Sequence, residues 1–191
     1  MSGSLPPLRT VPGAPTVWFT GLSGAGKTTI ARALADRLTA RGLANRLLDG
    51  DELRATLSAD LGFSREDRSE QVRRTAHLAR ILGESGVIPL VALVSPMRAD
   101  RDAARALHGP DRFLEVHVAT PLAVCEQRDV KGLYRRARDG DLTDLTGVGQ
   151  DYEPPVEPDV IVDGSSGAAD AAATVVESLL GAAVISEDSS R

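Results

Sequence analysis

Cysteine is nearly absent from this 191-residue chain: Cys125 stands alone, so no intrachain disulfide can form. Aromatic residues make up only 3% of the sequence while 42% is hydrophobic, so the core has to be aliphatic. An excess of positive charge is also missing. The 22 Lys and Arg face 27 Asp and Glu, a net charge of −5. Broad nucleic-acid or anionic-membrane binding depends on a positive field and is not expected; a small anionic substrate in a local basic pocket is. The longest apolar run, VIPLVALV at 87–94, is far short of the roughly 20 residues of a spanning helix. No signal peptide is visible at the start, and the expectation is a cytoplasmic protein. His77, His108 and His117 have no Cys or His partner at ligand spacing, so none reads as a metal ligand.

The pattern that remains is alternation. TVWF (16–19), the run NRLLDGD (45–51), VIPLVALV (87–94), FLEVHV (113–118) and DVIVD (159–163) read as five strands. Helices are expected at 27–41, where Ile30, Leu34 and Leu38 recur at steps of four, and from a Ser64/Asp67 capping start along a face with Val72, Ala76, Ala79 and Leu82. Further helices are expected at about 98–108, from 121 to 128 and at 168–180. Strands alternating with helices predict an α/β fold: one domain over 16–181, a five-stranded, mostly parallel sheet with helices on both faces. Residues 1–15 read as a flexible arm and 182–191 as a flexible tail. Residues of about 129–155 break the rhythm with charges, glycines and EPP, which suits a mobile lid.

GLSGAGKT, Gly21 to Thr28, satisfies G-x-x-x-x-G-K-[ST] and lies between a strand and a helix. Glycines let successive N–H groups turn inward toward phosphate, and the next helix offers its positive end. Gly21, Leu22, Ser23, Gly24, Ala25, Gly26, Lys27, Thr28 and Thr29 are therefore the nucleotide-binding candidates. Lys27 reaches the β- and γ-phosphates, and Thr28 ligates Mg²⁺. No N-K-x-D guanine signature occurs, and the third strand ends in VSP rather than an acid. Acids close the second strand instead, Asp49 and Asp51, where one can orient or deprotonate a hydroxyl acceptor. This favours a small-molecule kinase over a switch GTPase.

Beyond the turn lie five ordered segments: DGDELR, LSADLGFSREDRSEQVRR, VSPMRADRDAAR, TPLAVCEQRDVKGLYRRAR and LTGVGQDYEPPVEPDVIVD. Together, over about 17–163, they resemble the adenylylsulfate kinase (APS kinase) family of P-loop kinases. The resemblance implies ATP-dependent phosphorylation of the 3′-hydroxyl of adenosine 5′-phosphosulfate in sulfate assimilation, with ATP and Mg²⁺ as cofactors and a homodimer as the assembly. It implies Asp51 as base and Asp49 as a metal support acting through water. It implies that Phe63 stacks on the acceptor adenine, that Arg54 and Arg68 hold its anionic group, and that Arg128 packs on the ATP adenine. Lys131 and Leu133 then belong to a segment closing over both substrates. The family's SP serine corresponds to Ser95, designated a phosphoserine intermediate; direct transfer needs no such step, and the residues themselves suggest a pocket position. Gln71 stands where the family usually has Asn, Glu52 where it has Asn, Val130 where it has Pro and Met97 where it has Tyr. Phe63 has a second reading as a plug closing the core. Two functional alternatives stand beside the leading one: a P-loop kinase for another small hydroxyl compound, and a non-catalytic nucleotide-binding regulator.

Overall fold

The computed structural model describes residues 8–165 and 169–188. Five parallel strands form one sheet: β1 (Thr16–Thr20), β2 (Asn45–Asp49), β3 (Ile88–Ala92), β4 (Phe113–Val118) and β5 (Val160–Val162), in the order β2-β3-β1-β4-β5. Every residue of β1 and β3 is buried, as continuous apolar strands between two helix layers must be. The edge strands β2 and β5 are only partly covered.

The alternation of β1 divides the core. Val17 and Phe19 face a cluster built with α1 (Lys27–Ala40) and α7 (Ala169–Asp188), through Ile30, Leu34, Leu38 and Val176. Trp18 faces the opposite cluster, with the short α2 (Gly50–Arg54), α3 (Arg65–Glu84) and α4 (Arg98–His108) supplying Leu53, Val72, Ala76 and Ala104. One of the few aromatic contacts lies here, Trp18 against Phe113 at 5.6 Å between rings. Two shorter helices follow: α5 (Leu122–Arg128) ends just before the expected lid region and α6 (Leu133–Arg138) lies within it.

The termini differ from expectation. Residues 1–7 and 189–191 lie outside the described residues, but 8–15 are not a free arm. Arg9 N donates to Gly42 O at 2.7 Å, Val11 N to Gly86 O at 2.8 Å and Ala14 N to Gly83 O at 3.0 Å. The segment thus meets carbonyls where α1 and α3 end, and Val11 is buried. At the other end α7 continues to Asp188, through the expected tail at 182–188, because the apolar, Ala-rich run extends past Leu180. Residue 168, expected to start that helix, lies outside the described residues.

Between α4 and the sheet runs a buried ionic network. Arg101, 1% exposed, donates from Nε to Glu115 Oε1 at 2.8 Å, from Nη1 to Ser95 O and from Nη2 to Glu153 O, both at 2.7 Å. Arg105 lies 3.6 Å from the other Glu115 oxygen and 2.5 Å from Asp159. These bonds tie the exit of β3 to the far root of the lid region. Removing one partner of such a pair leaves an uncompensated buried charge, whereas replacing both with apolar groups costs little. Arg101→Ala should therefore lose about 3 kcal/mol of unfolding free energy, and Arg101→Met with Glu115→Leu should recover only part of it, because the Ser95 and Glu153 carbonyls stay without their donor. Urea denaturation of the two variants measures both values.

Candidate active site

Because all five strands run the same way, their C-terminal ends share one edge, and there a cleft of about 930 Å³ opens. The turn after β1 forms its floor. Gly21 has φ 149 and packs so closely that an added Cβ would meet Val118 O at 2.6 Å; Gly26 caps α1 with φ 103. Both positions require glycine, the first for space and the second for its left-handed backbone. On the far wall Gly164 approaches the Ala25 carbonyl so closely that no Cβ fits.

Lys27 is buried and donates to Gly21 O at 2.9 Å and Leu22 O at 2.7 Å. Burial, reinforced by the charge of Lys131, lowers its pKa to about 8. Thr28 Oγ1 donates to Asp49 Oδ2 at 2.6 Å, joining the start of α1 to the end of β2. Asp49 caps α2 by accepting from Asp51 N at 2.9 Å. Asp51 projects beyond it, largely exposed, and pairs with Lys131 from the opposite side of the cleft. Arg128 spans the floor and the far wall, donating to Gly24 O at 3.3 Å, Gly164 O at 2.7 Å and Ser165 O at 2.9 Å. Leu133 lines the cleft, and the neighbouring Tyr134 hydroxyl donates to Ser23 O at 2.8 Å.

A second cluster sits at the α2–α3 loop. Phe63 is 52% exposed and belongs to neither core cluster, so it is not a plug. The Arg54 and Arg68 guanidinium carbons lie 4.4 and 5.5 Å from its ring centre. Burial, then the repulsion of nearby Arg54, holds the Arg68 pKa below its ordinary value. Two cations held together in this way favour an anion between them. Gln71 is buried, its amide donating to Gly50 O at 3.1 Å. Arg73 and Arg74 both turn to Glu70; Arg74 also grips Asp60, so neither enters the cleft.

Ser95 has φ 39, an uncommon conformation for a non-glycine residue. Its hydroxyl is buried, accepting from Trp18 Nε1 at 3.1 Å and donating to Thr20 Oγ1 at 3.0 Å, while Arg101 holds its carbonyl. Every residue expected from the sequence thus lies in or against one cleft edge. Gln150 was missed as a site residue although it lies within the LTGVGQDYEPP segment, as were the backbone carbonyls of Asp144, Gly164 and Ser165. Gly164 and Ser165 could have been found by their place just past the fifth strand, at the ligand-binding edge of an open parallel sheet.

Comparison with known proteins identifies relatives. Residues 13–163 match the family described as Adenylylsulphate kinase. A protein named Adenylyl-sulfate kinase from Shewanella amazonensis is 54% identical over 151 residues, covering 79% of this chain and 76% of that one. Among solved structures, the Mycobacterium tuberculosis APS kinase CysC in complex with AMPPNP and APS matches with a TM-score of 0.85 at 43% identity, over 89% of this chain and 99% of that chain. A hexameric APS kinase from Thiobacillus denitrificans matches with a TM-score of 0.66 at 34% identity, over 90% of this chain and 29% of that chain.

The lowered pKa of Lys27 has a measurable consequence. A triphosphate favours the charged ammonium and raises that pKa, so binding near pH 8 takes up about half a proton at this group. Below about pH 7 Lys27 is already protonated and its uptake vanishes; above pH 8 affinity falls as pH rises. Calorimetry in two buffers of different ionisation enthalpy reads the uptake, and Lys27→Met should remove it.

Proposed function

This chain belongs to the adenylylsulphate kinase family, and we propose that it uses ATP to phosphorylate the 3′-hydroxyl of adenosine 5′-phosphosulfate, giving 3′-phosphoadenylyl sulfate and ADP. The observation that carries the reading is the pairing in one cleft of a phosphate cradle with an exposed aromatic ring flanked by two arginines. A sugar acid offers no flat base for Phe63, and a regulator has no need of an exposed carboxylate such as Asp51 facing Lys131 across the cleft.

The inward N–H groups of the Gly21–Thr28 turn and the α1 terminus hold the ATP phosphates, with Lys27 neutralising charge on the group in transfer. Thr28 Oγ1 would hold Mg²⁺ directly and Asp49, 2.6 Å from it, would hold the ion through water, both being hard oxygen ligands of the kind Mg²⁺ takes. When bound, that ion would supply charge neutralisation for the transferring phosphoryl group. Phe63 stacks on the acceptor adenine, and Arg54 and Arg68 hold its phosphosulfate. Asp51 accepts the proton of the 3′-hydroxyl as that oxygen bonds to the γ-phosphorus and the bond to the β-bridging oxygen breaks. Lys131, which pairs with Asp51 across the cleft, is placed to bind the substrate anions. Closure of 129–155 excludes water, which strengthens these ion pairs and suppresses ATP hydrolysis. Ser95 acts by position: a buried hydroxyl engaged by Trp18 and Thr20 shapes the pocket without a covalent step. Assembly as a homodimer and a cytoplasmic location belong to the same proposal. Among the described residues no helix is long and apolar enough to cross a membrane.

Two measurements test the roles. Incubation with ATP, Mg²⁺ and adenosine 5′-phosphosulfate should yield a product phosphorylated at 3′, and Phe63→Ala should raise the acceptor KM by about five- to a hundredfold, the worth of one base–aromatic stack. The KM for ATP and the unfolding midpoint should barely move, because the ring is half exposed. Asp51→Asn should lower kcat by about a hundredfold or more with ATP affinity nearly unchanged. Equal loss of both would make Asp51 a support of the metal or the fold instead.

A further inference from the structure

The wall bearing Phe63 is made of two segments far apart in the chain, the α2–α3 loop and the turn at 144–150. Two side chains join them, Gln150 from the turn and Arg68 from the start of α3. Gln150 donates from Nε2 to Phe63 O at 3.2 Å and accepts at Oε1 from Arg68 Nε at 3.0 Å. Arg68 completes the ring of bonds, donating from Nε to Phe63 O at 3.1 Å and from Nη2 to Asp144 O at 2.8 Å. The turn is itself closed: Gly147 N donates to Gln150 O at 2.7 Å and Gln150 N to Leu145 O at 3.1 Å. From the other side Arg54 Nη1 donates to Gly62 O at 2.6 Å.

Phe63 belongs to neither core cluster, so apolar packing does not set where its ring lies. Polar links to its backbone have to do so. Glutamine suits the task because one planar amide both donates and accepts. A carboxylate would turn an oxygen toward the Phe63 carbonyl, and an aliphatic chain would leave the Arg68 edge unanchored.

We propose that Gln150 is a positioning residue for the acceptor. Its amide clasps the Phe63 carbonyl and the Arg68 guanidinium in one geometry, so that the ring and the cation meet the two ends of one ligand. The proposal rests on the reading of this wall as the acceptor site. It also gives the 144–150 turn a task separate from the nucleotide cradle, since none of these bonds reaches Gly21–Thr28.

The test uses the full chain with Gln150→Ala and Gln150→Met. The acceptor KM for adenosine 5′-phosphosulfate should rise about five- to twentyfold while the KM for ATP stays within about twofold, as expected for hydrogen bonds to a charged group lost at one ligand only. In an Arg68→Ala background, adding Gln150→Ala should raise the acceptor KM by a smaller factor than it does in the parent, because the Gln150–Arg68 bond is already gone and only the bond to Phe63 O remains to be lost. Hydrogen exchange without substrates should be faster over 60–64 in Gln150→Ala than in the parent. An acceptor KM within about twofold of the parent, independent losses in the double variant, or unchanged exchange would each overturn the proposal. If the parent protein ignores adenosine 5′-phosphosulfate, the acceptor reading fails, and the exchange rates alone decide whether the clasp exists.

Discussion

The turn from Gly21 to Thr28 has to point backbone N–H groups into a cleft while remaining packed against the strands beside it. A polyphosphate is the partner that satisfies such groups, and much of the site depends on building the turn. Its conformation needs glycine where side chains are strained or have no room, and Val118, Cys125 and Gly164 press on it from outside. Thr120 holds it from beneath, its hydroxyl donating to Ala25 O at 2.7 Å. β1, buried along its whole length at the centre of the sheet, gives the turn a rigid base.

Charge is arranged around this turn against the overall balance of the chain. The protein is acidic, yet Lys27, Lys131, Arg54, Arg68 and Arg128 converge on one cleft. Asp49 and Asp51 stand among them and keep the cations from facing one another unrelieved. The cost of the concentration is visible in Lys27, where burial and Lys131 both oppose the ammonium, and in Arg68, where burial and Arg54 do the same. An anionic ligand relieves each of these, which is how a site gains affinity without a basic surface.

The lid region is joined to the sheet by different physics at its two ends. At the near end Asp129 caps α6, accepting from Tyr134 N and Arg135 N, both at 3.0 Å, and exposed Lys131 reaches Asp51. At the far end Tyr152 and Glu153 are gripped by buried groups, Thr20 and Arg101. Burial raises the Tyr152 pKa to about 12, so its hydroxyl stays neutral and holds its bond. Exposed ion pairs are worth little and exchange partners readily, whereas bonds from a buried guanidinium do not. The near end thus combines an exposed ion pair with the buried Tyr134, whose hydroxyl donates to Ser23 O at 2.8 Å, whereas the far end rests on buried polar groups alone.

Alternating apolar runs specified the five strands, and the phosphate turn, the Ser64 cap and the acids closing β2 were all legible from the chain, because each depends on backbone demands within a few residues. The ordered set of motifs was enough to point to the family. Phe63 and its flanking arginines could be named but not oriented; the exposure that separates a stacking ring from a core plug is a property of packing. Gln150 stood within a segment marked by the resemblance but with no role attached, and it matters only because the fold brings it to Arg68, 82 positions away. Lys131 meets Asp51 across 80 positions for the same reason. The attachment of residues 8–15 and the length of α7 also escaped the sequence, since backbone pairing with turn carbonyls leaves no mark on side-chain pattern. Local conformational rules wrote the pieces of this site into the chain, whereas the strand order β2-β3-β1-β4-β5 decided which of them touch, because only the assembled sheet brings the ends of distant strands to one edge.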